Sequence, residues 1–227
     1  MEPTRIRRAA LALCLSLLPP LGAARAAPAT VGAVEKVQQR AEATQAGAVR
    51  ALDVAGPVLF QDRLRTGPES RLEAKLEDGT VLTLGANGRM TVDEFVYRPG
   101  SEGGKLAVSV PRGAFLFVGG KIEGPTGGNV SIRTPVGTLG VRGTTVWGGP
   151  IEGGYGVLVL NGEVRVATPR GAVTLREGQG TMVHADRAPS AAGPWPEARV
   201  KRAVATISFD PAKQAASRPA AATARTP

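Results

Sequence analysis

The chain has 227 residues, with 28 Lys and Arg against 19 Asp and Glu, a formal charge of +9, one histidine and one cysteine. So few imidazole and thiol groups exclude a His- or Cys-built metal cluster. The length suits one domain or a small pair.

Residues 1–26 are predicted to be a cleaved signal peptide. Arg5, Arg7 and Arg8 precede the apolar run Ala9 to Leu18, which is too short to span a bilayer. Pro19 and Pro20 end that run, and Ala24-Arg25-Ala26 has the A-x-A form of a cleavage site. Cys14 lies inside the run and leaves with it, and Leu13 is not the small residue that a lipid anchor requires. The mature chain is therefore expected to be periplasmic or secreted, without thiol, disulfide or transmembrane anchor. Residues 1–26 hold four Arg and one Glu, and residues 185–227 hold seven Lys or Arg and three Asp or Glu. That leaves 17 basic and 15 acidic residues in 27–184. Export and a nearly balanced centre argue against nucleic acid as a partner. The basic tail is expected to touch anionic surfaces weakly.

Residues 27–184 read as one all-β domain of short antiparallel strands, in a sandwich or a solenoid-like arrangement. Val31 to Val37 predicts one strand and then a loop. Arg71 to Glu77 alternates strictly, with Leu72, Ala74 and Leu76 on one face. Asp78-Gly79 predicts a hairpin turn into Val81 to Leu84. Further strands are predicted at Met90 to Tyr97, Leu106 to Val110, Ala114 to Val118, Val130 to Arg133, Val157 to Leu160, Glu163 to Ala167 and Val173 to Arg176. Asn161-Gly162 predicts a second hairpin turn. Turn residues recur every 8–12 positions or so, as in all-β domains.

Residues 128–142 align without gaps on residues 162–176. Gly128, Val130, Thr134, Pro135, Gly137 and Arg142 recur as Gly162, Val164, Thr168, Pro169, Gly171 and Arg176. Each copy reads as strand, Thr-Pro-x-Gly turn, strand. Two similar hairpin units are expected to pack side by side. Gly140 and Gly143 have no glycine counterpart and are expected at a bulge or a close backbone approach. Glu197 to Phe209 predicts a short helix after Pro196, with Trp195 pinning it to the β core, and residues 211–227 are expected to be disordered.

No catalytic arrangement is recognisable. His184 stands alone at a strand exit. Asp93 and Glu94 are adjacent on a strand and so face opposite ways. No Lys follows Gly143 as a P-loop demands, and the glycine series lies between strands rather than between a strand and a helix. No catalytic residue, metal ligand or cofactor site is assigned.

The motifs Gln61-Asp62-Arg63-Leu64-Arg65-Thr66-Gly67, Ser70-Arg71-Leu72, Leu76-Glu77-Asp78-Gly79-Thr80, Thr134-Pro135-Val136-Gly137, Val141-Arg142-Gly143-Thr144, Val159-Leu160-Asn161-Gly162-Glu163-Val164 and Glu177-Gly178-Gln179 stand in this order. The order resembles the FecR family over about residues 31–183. The resemblance implies an all-β, non-enzymatic domain that binds an envelope protein partner and takes part in signal transduction. It marks Thr66, Gly67, Asp78, Gly79, Thr134, Pro135, Gly137, Arg142, Gly143, Thr144, Asn161, Gly162 and Gly178 as structural or partner-binding. Arg142 and Thr144 are expected to lock the β core. No cytoplasmic anti-sigma segment is recognisable, so a free-standing exported domain is expected. The alternative function is binding of cell-wall glycan or another saccharide, ancillary to envelope enzymes.

Overall fold

The computed structural model describes residues 28–100, 103–124 and 128–215, so the predicted signal peptide and residues 216–227 lie outside the described residues. In chain order the strands are β1 (Thr30–Gln38), β2 (Ala41–Gln45), β3 (Ala48–Ala51), β4 (Pro57–Leu59), β5 (Arg63–Thr66), β6 (Arg71–Leu76), β7 (Val81–Leu84) and β8 (Arg89–Val96). They continue with β9 (Lys105–Arg112), β10 (Phe115–Val118), β11 (Asn129–Thr134), β12 (Gly137–Ile151), β13 (Gly154–Thr168), β14 (Gly171–Arg176), β15 (Gln179–Val183) and β16 (Gly193–Pro194). Two helices follow, α1 (Glu197–Ala205) and α2 (Pro211–Ala215). The fold is all-β.

The two long strands β12 and β13 form a spine, with Thr138 opposite Ala167 at one end and Ile151 opposite Gly154 at the other. One edge of β12 carries β11 on its first half and β10 on its second. Two arms leave the spine from there: one runs β11-β9-β8-β5-β2-β3, the other β10-β7-β6-β1-β4. The arms curl into a half-barrel around one core, which joins Leu64, Met90 and Val108 of the first arm to Leu72, Leu82 and Phe117 of the second. The far edge of β13 carries β14 and then β15.

Local sequence explains each arm. In β6 the apolar positions 72, 74 and 76 are buried and the charged positions between them are not. Gly79 turns the chain at a φ of +87°, and β7 returns with Leu84 opposite Leu72. The repeat is two adjacent hairpins. The Thr134 hydroxyl donates to the Gly137 carbonyl at 2.8 Å and the Thr168 hydroxyl to the Gly171 carbonyl at 3.0 Å. Val130, Val141, Val164 and Leu175 make one buried rung across both copies.

Several expectations change. Asn161-Gly162 is not a hairpin turn: it lies within β13, where Gly162 has a φ of +83° opposite a bulge at Gly143, whose φ is +59°. The positive φ that the Asn-Gly pair supplies bends a continuous ribbon here instead of reversing it. The loop expected after Val37 is the hairpin β2–β3, whose buried face is only Ala41 and Ala43 and so carries a weak hydrophobic signal. The strands are not all short and antiparallel, since β12 and β13 have 15 residues each and β9 runs parallel to β11. Residues 211–215 are helical, and Asp210 accepts the Ala212 N–H at 2.9 Å.

Helix α1 follows Pro196 and ends at Ala205 rather than at Phe209. With Ala203 and, just past its end, Ile207 it packs on Trp147 and Leu158 of the spine and on Ala114, next to β10. Trp195 meets Trp147 edge to face, with ring centres 6.0 Å apart. It lies directly on the backbone of Gly156 and Gly180. The indole N–H of Trp147 donates to the Thr206 hydroxyl at 3.0 Å. Among the described residues no helix is long and apolar enough to cross a membrane.

Candidate functional site at the strand corner and free edge

The motif residues build two internal polar locks. The first closes the end of β5. The buried Thr66 hydroxyl donates to the Gly85 carbonyl at 2.5 Å and accepts the Gly88 N–H at 2.8 Å. Gly67 donates its N–H to the Arg40 carbonyl at 3.1 Å and accepts the Asn87 N–H at 2.9 Å. Since residues 85–88 connect β7 to β8, this lock fastens one arm to the other.

The second lock sits at the bend of the spine. Asp78 is wholly buried, and its carboxylate accepts the Thr80 N–H at 3.1 Å, the Thr80 hydroxyl at 2.7 Å and the Ile122 N–H at 3.3 Å. Three donors without a cation in ion-pair distance, among the described residues, satisfy a buried carboxylate by hydrogen bonding. Next to it, the Glu123 carboxylate accepts the Thr144 N–H at 3.0 Å, while its Oε1 is buried without a partner. Burial raises the Glu123 pKa above its usual range; the Thr144 N–H opposes the rise, Asp78 adds to it, and the Gly143 N–H opposes it. The left-handed Gly143, with a φ of +59°, turns the Thr144 N–H onto this carboxyl group. The glycine-rich stretch thus holds a carboxyl group of the chain's own, that of Glu123.

Thr144 ties the corner together. Its hydroxyl accepts the Arg142 N–H at 2.9 Å and donates to the Glu163 carbonyl at 3.0 Å, and the residue is buried. Arg142 departs from expectation, because only its backbone takes part in the lock and its side chain is exposed. A strand alternates faces, so the residue two before the inward Thr144 shares its face only where no bulge intervenes, and Gly143 is that bulge. Arg142 and Arg176, the equivalent positions of the repeat, flank Glu163 on adjacent strands, with Arg176 Nε 3.4 Å from Glu163 Oε2.

The remaining motif residues shape turns. Pro135 lies in the β11–β12 turn closed by Thr134 and Gly137. Gly178, with a φ of +77°, donates to the Val159 carbonyl at 2.9 Å. Asn161 Nδ2 donates to Glu177 Oε2 at 3.2 Å. Glu123 carries no motif signal, since a lone Glu between glycines gives no sign of burial. Asp62 is also buried, accepting the Leu59 N–H at 2.8 Å and pairing with Arg50.

The groups considered for chemistry do not converge. His184 is half-buried against Gly154. Asp93 accepts the Ser109 hydroxyl at a β8 bulge, and Glu94 is exposed. A cleft of about 880 Å³ between the β2–β3 turn, Phe60 and β8 has Arg63 and Asp93 as its charged lining. Among the described residues no three His, Cys, Asp or Glu gather as metal ligands. Trp147 and Tyr155 are buried, and Trp195 lies beneath the Arg199 guanidinium at 5.4 Å. None of these three rings offers an open face for stacking a sugar.

Among the described strands β14, like β3, β4 and β16, pairs on one side only. Strand β14 pairs with β13 and, among the described residues, has no strand on its other side. Arg176 sends its N–H away from β13 to Gln179 Oε1 at 2.9 Å. Backbone alternation then directs the N–H and C=O groups of Ala172 and Thr174 outward as well. Both residues are exposed.

Residues 62–165 match the family model described as FecR protein. This segment is a FecR domain. It contains both locks and the bent spine, while β14 to α2 extend the FecR domain on its C-terminal side. Two crystal structures of a candidate anti-sigma factor from Parabacteroides distasonis ATCC 8503 are similar to the chain at 18% identity and a TM-score of 0.49. Each comparison covers 61% of this chain and 62% of that one, so the chain spans about three fifths of their length. No curated protein matches the chain.

Proposed function

We propose that the chain is an exported, non-catalytic protein-binding module of envelope signalling, which takes up a partner strand along β14. The FecR domain supports the signalling role. The observation that carries the binding mode is the free edge at Ala172 and Thr174, whose outward backbone groups form a template for strand addition. The internal locks support it too: Asp78, Glu123, Thr66 and Thr144 are engaged in holding the fold, so recognition falls to edges and faces. Export follows from the N-terminal sequence pattern and gives the module access to envelope proteins.

A photo-reactive side chain placed at Thr174 tests this reading in cells. A discrete protein adduct is expected from Thr174, and none from Lys75 on the second arm. Recovery of monomer only from both positions would overturn it.

A further inference from the structure

Three arginines form a row across the outer face of the first arm. Arg65 on β5 stands opposite Arg89 on β8, and Arg89 stands opposite Arg112 on β9. All three are exposed. Among the described residues none has a carboxylate in ion-pair distance; Glu42, opposite Arg65 on β2, is held by Arg40. Neighbouring strands lie about 4.8 Å apart, so the row spans roughly 10 Å.

Like charges directly opposite one another destabilise a sheet. The backbone keeps these together: a Cβ on Gly113 would lie 2.6 Å from Gly88 Cα, so the segments that carry Arg112 and Arg89 are in direct contact. The next rung offers no compensation, since Thr91 there stands opposite Arg63 on one side and Ser109 on the other. The near-balanced charge of residues 27–184 thus conceals a local concentration that only the strand order assembles.

We propose that this row is a docking surface for an acidic protein segment that brings two or three carboxylates into line across β5, β8 and β9. The guanidinium fork matches a carboxylate through two parallel hydrogen bonds, a geometry that the point charge of lysine lacks. Of the exposed large apolar residues Val49, Val54, Val96 and Leu160, only Val96 lies on one of these strands, at the opposite end of β8 from Arg89. Among the described residues the row therefore has no large exposed hydrophobic side chain beside it to insert into a bilayer. This surface does not depend on strand addition at β14.

The test measures binding of fluorescein-labelled hexaglutamate to the purified chain by anisotropy, beside flotation with phosphatidylglycerol vesicles. The variant Arg65→Gln/Arg89→Gln/Arg112→Gln is compared with the charge-matched control Lys75→Gln/Arg187→Gln/Lys201→Gln. Hexaglutamate affinity is expected to fall about tenfold in the row variant and to change less than about twofold in the control. The row variant is also expected to melt at the same or a higher temperature, because repulsion is relieved. Absence of hexaglutamate binding, equal weakening in both variants, or a row-dependent binding of vesicles alone would overturn the proposal. A lower melting temperature of the row variant would show the row to be structural and overturn it equally.

Discussion

Gly162 packs so closely on Gly143 that a Cβ on Gly162 would lie 2.2 Å from the Gly143 carbonyl oxygen. The two residues face each other where β12 and β13 change register, and both have positive φ. They differ in surroundings, because a Cβ on Gly143 would meet nothing within 4 Å. Gly162→Ala should therefore cost about 3–4 kcal/mol, combining left-handed strain with a backbone collision. Gly143→Ala should cost only about 1 kcal/mol, from strain alone. Urea unfolding of the two variants measures the difference, and equal costs would show that the corner does not depend on this close approach.

Glu123 gives the corner a pH dependence. Its folded pKa is raised, first by burial, so the neutral carboxyl is more favoured in the native state than in the unfolded chain. The native state then binds the proton more tightly than the unfolded chain does. The associated stability is present below the ordinary carboxylate pKa and is lost as pH rises through the folded value. Glu123→Gln keeps an oxygen acceptor for Thr144 and removes the charge. Relative to the unchanged chain, it should gain stability at neutral pH compared with its effect at pH values below about 4. Thermal melts across that range check this, and an effect independent of pH would contradict it.

Thr144 and Arg142 are separable by mutation. Thr144→Val removes the hydroxyl that serves the Arg142 N–H and the Glu163 carbonyl, and should destabilise by about 2 kcal/mol. Arg142→Ala removes an exposed side chain, and should stay within about 0.5 kcal/mol. Chemical unfolding distinguishes them. A larger loss for Arg142→Ala would return its side chain to a core-locking role.

Much of the fold is legible in the sequence because its strands alternate cleanly. Leu72, Ala74 and Leu76 announce β6, and the Thr-Pro-x-Gly copies announce two neighbouring hairpins whose turn hydrogen bonds prove equivalent. Strand β2 escaped because alanine buries too little to mark a face. The long spine escaped because Asn161-Gly162 has the chemistry of a turn, and local sequence does not tell a bend from a reversal. The glycine-rich stretch lies within β12, and its carboxyl partner was invisible, since Glu123 meets Thr144 only after folding. The arginine row is of the same kind, assembled from three distant segments by strand order.

On the proposed function a partner adds a strand at β14. The most direct measurement combines a photo-reactive side chain at Ala172 with Thr174→Pro, which removes the outward N–H of an exposed edge position that proline tolerates. Strand addition requires that the adduct formed from Ala172 disappears while the circular dichroism spectrum and melting temperature stay unchanged. An adduct that persists at full yield in the correctly folded Thr174→Pro chain would contradict it.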